Sequence, residues 1–295
     1  MDYSSAQLMP HTKLTKFTSG EDASAIWLVA RSIRSYGVRI GIRTNRHELL
    51  EQILDYAPPL WRPTSVSAVE RMFSFRLGSS SSRTTGSSHV LFDSLDTAVK
   101  SRSLNIVLEA FQVRLKMYVA EMARRRVFVH AGVVGWRGKA IIIPGRSMSG
   151  KTSLVAELVR AGATYYSDEY AVLDMVGRVH PYPEPLAIRI TGSSKQKKTP
   201  VEEIGGITGI KPLPVGQVVV CRYQAGAHWR PKRLSAGQAV LELLANTIPA
   251  RRRPAVVIPT LREALSRATA FKGLRGEARD TITRILEKYD VANTP

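Results

Sequence analysis

Residues Gly145-Arg146-Ser147-Met148-Ser149-Gly150-Lys151-Thr152 match the pattern G-x-x-x-x-G-K-[ST] at every fixed position. Each fixed position has a chemical reason. The glycines let backbone N–H groups turn inward around phosphate oxygens at a helix N-terminus. The Lys151 ammonium reaches the outer phosphates, and the Thr152 hydroxyl is a hard oxygen ligand for Mg²⁺. All eight residues are therefore candidates for holding ATP. An apolar run, Ala140–Ile143, precedes the loop and a helical pattern follows it, Ser153–Ala161, which is the strand–loop–helix setting that the motif requires.

A second group of residues must face that loop if phosphate chemistry is to occur. Asp168 and Glu169 follow the stretch Ala163–Ser167, one helix after the loop. In a parallel α/β layer the carboxyl end of the next strand lies beside the phosphate loop. Two adjacent acids there, with Thr152, would ligate Mg²⁺, and Asp168 could also take a proton from an attacking hydroxyl. His130 is placed by arithmetic. A hairpin turning at Arg137-Gly138 pairs residues whose numbers sum to 275, which sets His130 opposite Gly145; a satisfied core histidine is the alternative. Arg189 ends the alternating run Pro185–Ile190 and is either a charge donor to the transferring phosphoryl group or an exposed strand end. Asp174 reads as the opening of a hairpin turn.

The elements that position these groups follow from periodicity. Tyr36–Thr44 alternates as a strand. Ser103–Arg126 reads as an amphipathic helix, with Leu104, Val107, Leu108, Phe111, Leu115, Tyr118, Val119 and Met122 on one face. Gly78–Ser88 is low-complexity, and Thr191–Pro214 reads as a long mobile loop. Val215–Tyr223 is expected as the last buried strand, with closing helices at Ser235–Thr247, Leu261–Ala270 and Gly276–Tyr289. Ser235 and Gln238 form a capping-box signature. The fold class is α/β, organised as an N-terminal α/β region over 1–126 ending in the long helix, then a phosphate-loop domain over 127–295.

Composition narrows the classes. The chain has 295 residues, 44% of them hydrophobic, and a net charge of +19, which excludes a disordered basic tail protein. No apolar run is long enough to span a membrane. The N-terminus lacks a signal-peptide layout, and a single cysteine, Cys221, excludes an intrachain disulfide framework. A cytoplasmic protein with no membrane partner is the expectation. Residues 130–190 carry a net charge of only +2, against +7 for 1–129 and +10 for 191–295. The excess sits in clusters at Arg124–Arg126, Lys195/Lys197/Lys198, Arg230–Arg233 and Arg251–Arg253. It is expected to steer an anionic partner such as an acidic peptide. Few aromatics and no zinc-finger, helix-turn-helix or ribonucleoprotein signature disfavour nucleic acid.

The stretch VHAGVVGWRGKAIIIPGRSMSGKTSLVAELVRAGATYYSDEYAVLD resembles the HPr kinase/phosphorylase family, and more closely the HPr-kinase-related proteins that accompany ribosomally made peptides. His130 lies 15 residues before Gly145, and Asp168 lies 17 after Lys151, as the family spaces them. The resemblance implies a P-loop kinase fold shared with phosphoenolpyruvate carboxykinases. It further implies ATP and Mg²⁺ as cofactors, Asp168 as base, His130 assisting, Glu169 as the second acid, and a serine of a protein or small precursor peptide as acceptor. A homo-oligomer is compatible with it. Glu169 stands where the family usually has Asp, and PLAIRITGSSKQKK does not match the family's downstream segment. The leading expectation is an ATP- and Mg²⁺-dependent kinase. The alternatives are a non-catalytic ATP-binding switch and a nucleic-acid-associated ATPase.

Overall fold

The computed structural model describes residues 27–78, 88–94, 96–145, 149–189 and 196–293. Arg146, Ser147, Met148, Lys195 and most of Gly78–Ser88 lie outside the described residues. The chain is mixed α/β and divides into two compact units, Met1–Val119 and Ala120–Pro295. The division falls inside the long helix, whereas the sequence suggested one after it.

The first unit holds β1 (Val29–Ser35), β2 (Val38–Thr44), α1 (Leu50–Leu54), β3 (Arg62–Pro63), β4 (Arg71–Arg76), β5 (His89–Asp93), β6 (Asp96–Ser101) and most of α2 (Leu104–Met122). Its strands form one sheet in the order β3-β1-β2-β4-β5-β6. The strand expected from Tyr36 begins two residues later, because Tyr36 and Gly37 take φ of 47° and 85°. They form the two-residue turn of the β1–β2 hairpin. On α2 the expected apolar face is buried at Val107, Leu108, Phe111, Leu115 and Val119. Phe111 meets Phe73 and Phe75 edge-on, with ring centroids 5.1 and 5.0 Å away, a favoured aromatic geometry. The helix stops at Met122 rather than Arg126, since Arg125 turns to φ 57°, a left-handed value that ends helices.

The second unit continues with β7 (Val127–Trp136), β8 (Lys139–Pro144), α3 (Lys151–Arg160), β9 (Thr164–Ser167), β10 (Tyr170–Leu173), β11 (Val179–His180), β12 (Leu186–Arg189) and β13 (Gln196–Thr199). After these come β14 (Val215–Tyr223), β15 (Lys232–Arg233), α4 (Ala236–Leu244), α5 (Pro254–Ala264), β16 (Thr269–Arg275) and α6 (Ala278–Asn293). The main sheet has the order β11-β10-β7-β8-β14-β16-β15, with β9 also paired to β7. Both faces are covered. Leu154, Val155 and Leu158 of α3 and Ile282, Ile285 and Tyr289 of α6 pack on one face. Leu243 of α4 and Val257 and Leu261 of α5 pack on the other. A sheet buried on both sides explains why β7 and β8 read as near-continuous apolar runs.

Strand β7 is the reference for everything nearby. Its hairpin with β8 has the expected register, including Gly132↔Ile143 and Trp136↔Lys139, and Arg137 and Gly138 take φ of 47° and 78° at the turn. On its other edge, β9 and β10 are two halves of one antiparallel strand. Val133 faces Ser167 and His130 faces Tyr170, so the register carries through the gap and sets Asp168 across from Gly132. The strand after α3 is therefore not the direct neighbour of β8. Strand β7 lies between them, antiparallel to both, so β8 and β9 still end on the same side of the sheet.

Three further expectations are corrected. The described part of the expected loop Thr191–Pro214, from Gln196 on, is not structureless: β13 lies in it and pairs with β12, and a 3-10 turn covers Val201–Ile204. Val215–Tyr223 is a strand but not the last, because β16 runs parallel beside it. The helix expected over Leu261–Ala270 is α5, which starts earlier, at Pro254, and ends at Ala264. Thr269 and Ala270 already belong to β16, where pairing to β14 outweighs local helix propensity. The capping box at Ser235 and Gln238 is formed.

Gly132 lies under α3, where an added Cβ would come within 2.5 Å of Val155 Cγ2. Val155 is fully buried and has no free space to yield. Gly132→Ala is expected to lower unfolding free energy by about 1–3 kcal/mol through overpacking, read from denaturant midpoints at unchanged slope.

Candidate active site

Three backbone contacts assemble the site around two adjacent residues of β7. The His130 carbonyl accepts from the Gly145 amide at 3.2 Å, which pins the first residue of the phosphate loop to the strand. The His130 amide donates to the Asn246 carbonyl at 2.8 Å, just past α4. The next amide, Ala131, donates to the Glu169 carbonyl at 3.1 Å. Loop and acid pair are thus held on opposite edges of the same strand. Gly132 lets α3 pack close against the strand between them: the atoms nearest its missing Cβ are Val155 Cγ2 at 2.5 Å, Lys151 Cβ at 3.8 Å and the Ser167 carbonyl at 3.9 Å.

The loop enters α3 through Gly150, whose φ of 86° is left-handed and suits glycine. Lys151 is the first helical residue and only 7% exposed. Its Nζ donates to the Gly145 carbonyl at 2.8 Å, bridging the two ends of the loop. Burial lowers its pKa, and the carboxylates of Asp168 and Glu169 oppose that shift. Next along, Thr152 Oγ1 donates to Asp168 Oδ2 at 2.7 Å.

The acid pair occupies the break between β9 and β10. Buried Ser167 shapes this break, because its Oγ accepts from the amides of Glu169 at 3.1 Å and Tyr170 at 2.9 Å. That turn points Asp168 inward. Its Oδ1 is buried and has no well-formed hydrogen bond. Burial pushes its pKa up to about 6, against the pull of the Thr152 hydroxyl and the Lys151 charge. Glu169 is more open, and its Oε1 lies 3.9 Å from His130 Nε2. Burial, and then the Lys151 charge, hold His130 down at about 4, so its imidazole is neutral at pH 7 and faces Glu169. The Tyr170 ring packs near it at 6.0 Å.

One residue of this arrangement escaped the sequence reading. Arg275, at the end of β16, is 3% exposed and donates Nη2 to the Gly150 carbonyl at 2.9 Å and Nη1 to the Gly276 carbonyl at 2.8 Å. Its guanidinium also lies 5.2 Å from the Tyr223 ring centroid. Arg275 therefore clamps the loop at its turn into α3. No local pattern marks it, since it lies 125 residues from Gly150. The parallel register of β16 beside β14 is what delivers it.

Not every predicted site residue joins the cluster. Arg189 ends β12 exposed, opposite Gln196. Among the described residues no hydrogen bond or ion pair links it to Lys151, Thr152, Asp168 or Glu169. Lys197 is paired with Glu203 at 3.2 Å. Asp174 opens the β10–β11 turn as expected, accepting from the amides of Val176 and Arg178. Among the described residues no group of three or more His, Cys, Asp or Glu side chains could hold a metal. The hard oxygens that the loop and the strand break bring together are the Thr152 hydroxyl and the Asp168 carboxylate, with Glu169 adjacent. No helix of the described residues is long and apolar enough to cross a membrane.

Neither the known protein families nor the curated proteins contain a match to this sequence.

Two outcomes are expected. Arg275→Met removes the guanidinium donor from the half-buried Gly150 carbonyl and leaves it only the long bond from the Leu154 amide at 3.4 Å; it should cost about 1–3 kcal/mol of stability, and Arg275→Lys should recover only part because it lacks the fork geometry. Asp168 gives the opposite sign. Its folded carboxyl binds a proton between its ordinary pKa of 3.8 and about 6, so its contribution is full below that window and is lost as pH rises through it. In magnesium-free protein, Asp168→Asn should therefore be more stable than wild type at pH 7 by roughly 3 kcal/mol. That advantage should vanish near pH 4 in thermal melts.

Proposed function

We propose that this chain is an ATP- and Mg²⁺-dependent kinase that transfers the γ-phosphoryl group to a hydroxyl, a serine of a protein or small precursor peptide. The observation that carries the reading is the hydrogen bond of Thr152 Oγ1 to Asp168 Oδ2 at 2.7 Å. It joins the hydroxyl of a complete phosphate-loop motif to a buried carboxylate from a separate strand break. The strand–loop–helix of β8 and α3, with β14 and β16 parallel to β8, fits the P-loop kinase fold that the resemblance to HPr-kinase-related proteins implies.

The residues present fit Mg²⁺. Thr152 and Asp168 offer hard oxygens, and the second Asp168 oxygen is buried with no well-formed hydrogen bond, an arrangement that a cation would satisfy. Mg²⁺ usually takes only one or two carboxylates together with substrate phosphates, so a small acidic set suffices. When bound, the ion would neutralise charge on the phosphate oxygens.

The protein groups divide the remaining work. Amides at the start of α3 and the Lys151 ammonium bind and orient the phosphates. Asp168, raised by burial to about 6 in the metal-free fold, accepts the proton of the acceptor hydroxyl when ionised. The hydroxyl oxygen bonds to the γ-phosphorus while the bond to the β–γ bridging oxygen breaks, and ADP leaves with that electron pair. Neutral His130 stands beside Glu169 and adds no charge of its own to the site. Arg275 holds the loop from behind. Arg189 has no assigned part.

The test is transfer of labelled phosphate from ATP to co-encoded or candidate serine peptides, read by mass. Wild type should add one phosphoryl group. Lys151→Ala and Asp168→Asn should each lower the rate by at least about a hundredfold, the latter with its fold intact. Tight ATP binding without transfer to any hydroxyl would overturn the kinase reading in favour of a nucleotide-dependent switch.

A further inference from the structure

Two arginine triplets that are far apart in sequence meet in the second unit. Arg253, just before α5, donates to the Ala123 carbonyl, and its neighbour Arg252 reaches Glu121 at 3.7 Å. These contacts set the loop Arg251–Arg253 against the loop Arg124–Arg126 that leads into β7. The β10–β11 turn borders the same place. There Asp174 holds Arg178 and His180, each at 2.9 Å, and the charges of Arg126 and Arg178 both act on His180. Arg124, Arg125, Arg178, Arg251 and Arg252 are exposed, and Arg126 is half-buried. Glu121 and Asp174 are the acids that the ion pairs place among them.

The location of this cluster matters as much as its charge. Strand β8 ends at Pro144, opposite Ala131, and β7 extends beyond it towards Val127. The arginines therefore sit at the same end of the sheet as the phosphate loop. From Arg126 to Gly132, across from Asp168, is six strand residues, roughly 20 Å.

We propose that this arginine cluster docks an acidic segment of the polypeptide phosphoacceptor, about six extended residues from the hydroxyl that is phosphorylated. The inference rests on the kinase reading of the site and adds the substrate class. Guanidinium groups match carboxylates in geometry as well as charge, and two members of the cluster already make carboxylate ion pairs. Single-stranded nucleic acid is served less well. Single strands are gripped by bases stacked on aromatic side chains, and the residues that form this cluster offer only the hydrogen-bonded His180 ring.

The test uses the full-length chain without nucleotide and two fluorescein-labelled peptides, read by anisotropy. One carries a serine, a neutral spacer and about six glutamates; the other has glutamines in their place. The glutamate peptide should bind at least about tenfold more tightly at low salt, with the gap closing as salt rises. The triple variant R125E/R251E/R252E should lose that preference while ATP affinity stays unchanged, and R125Q/R251Q/R252Q should lose part of it. Circular dichroism checks both folds. Equal affinity for the two peptides, or a preference that survives charge reversal, would overturn the proposal. So would a single-stranded oligonucleotide that binds more tightly than the glutamate peptide and loses affinity in the same variants. Docking that persists without phosphoryl transfer would count against the kinase reading and leave the dock standing.

Discussion

The pairing of β7 on both of its edges is the constraint from which the candidate site follows. An antiparallel strand has no freedom to slide when each face is buried, because a slip of one residue would send Val129, Ala131 and Val133 to the wrong layer. With β7 held in that way, the hydrogen bonds of His130 and Ala131 decide where the phosphate loop begins and where the acid pair sits. The candidate site residues are thus positioned by backbone amides and carbonyls, and the side chains need only be short enough to share the space. Gly132 meets that need by having no side chain at all.

Much of this was legible because it is local. The G-x-x-x-x-G-K-T motif is contiguous and so visible as such, and the two-residue turn at Arg137-Gly138 fixes a hairpin register that carries His130 to Gly145. Asp168 and Glu169 follow a strand-sized apolar run, and their place across β7 needed only one more register. The intervening strand did not spoil that inference, since two antiparallel steps restore the direction of β9.

What was not legible depends on contacts between distant segments. Arg275 looks like any basic residue at the end of a strand, and only the β14–β16 pairing aims it at Gly150. The Leu261–Ala270 stretch is mostly helix-forming, and one strand-favouring residue, Thr269, is too weak a signal to say that the chain leaves for a sheet there. The same holds for the arginine triplets. Each reads as a solvated loop tip by itself, and the Arg253 contact to the Ala123 carbonyl is what makes them one surface.

Burial beside the loop reverses the order in which two site residues take up protons. In an unfolded chain His130 would be charged and Asp168 ionised near pH 5. In the fold, Asp168 holds its proton to about 6 and His130 refuses one until about 4. From these two groups, the folded and unfolded chains bind the same number of protons across that interval, so their opposing linkages cancel. Between about pH 4 and 6 these two groups together therefore add little acid sensitivity to the fold. Replacing His130 by a residue that cannot titrate would remove the compensation and expose the pH dependence that Asp168 carries by itself.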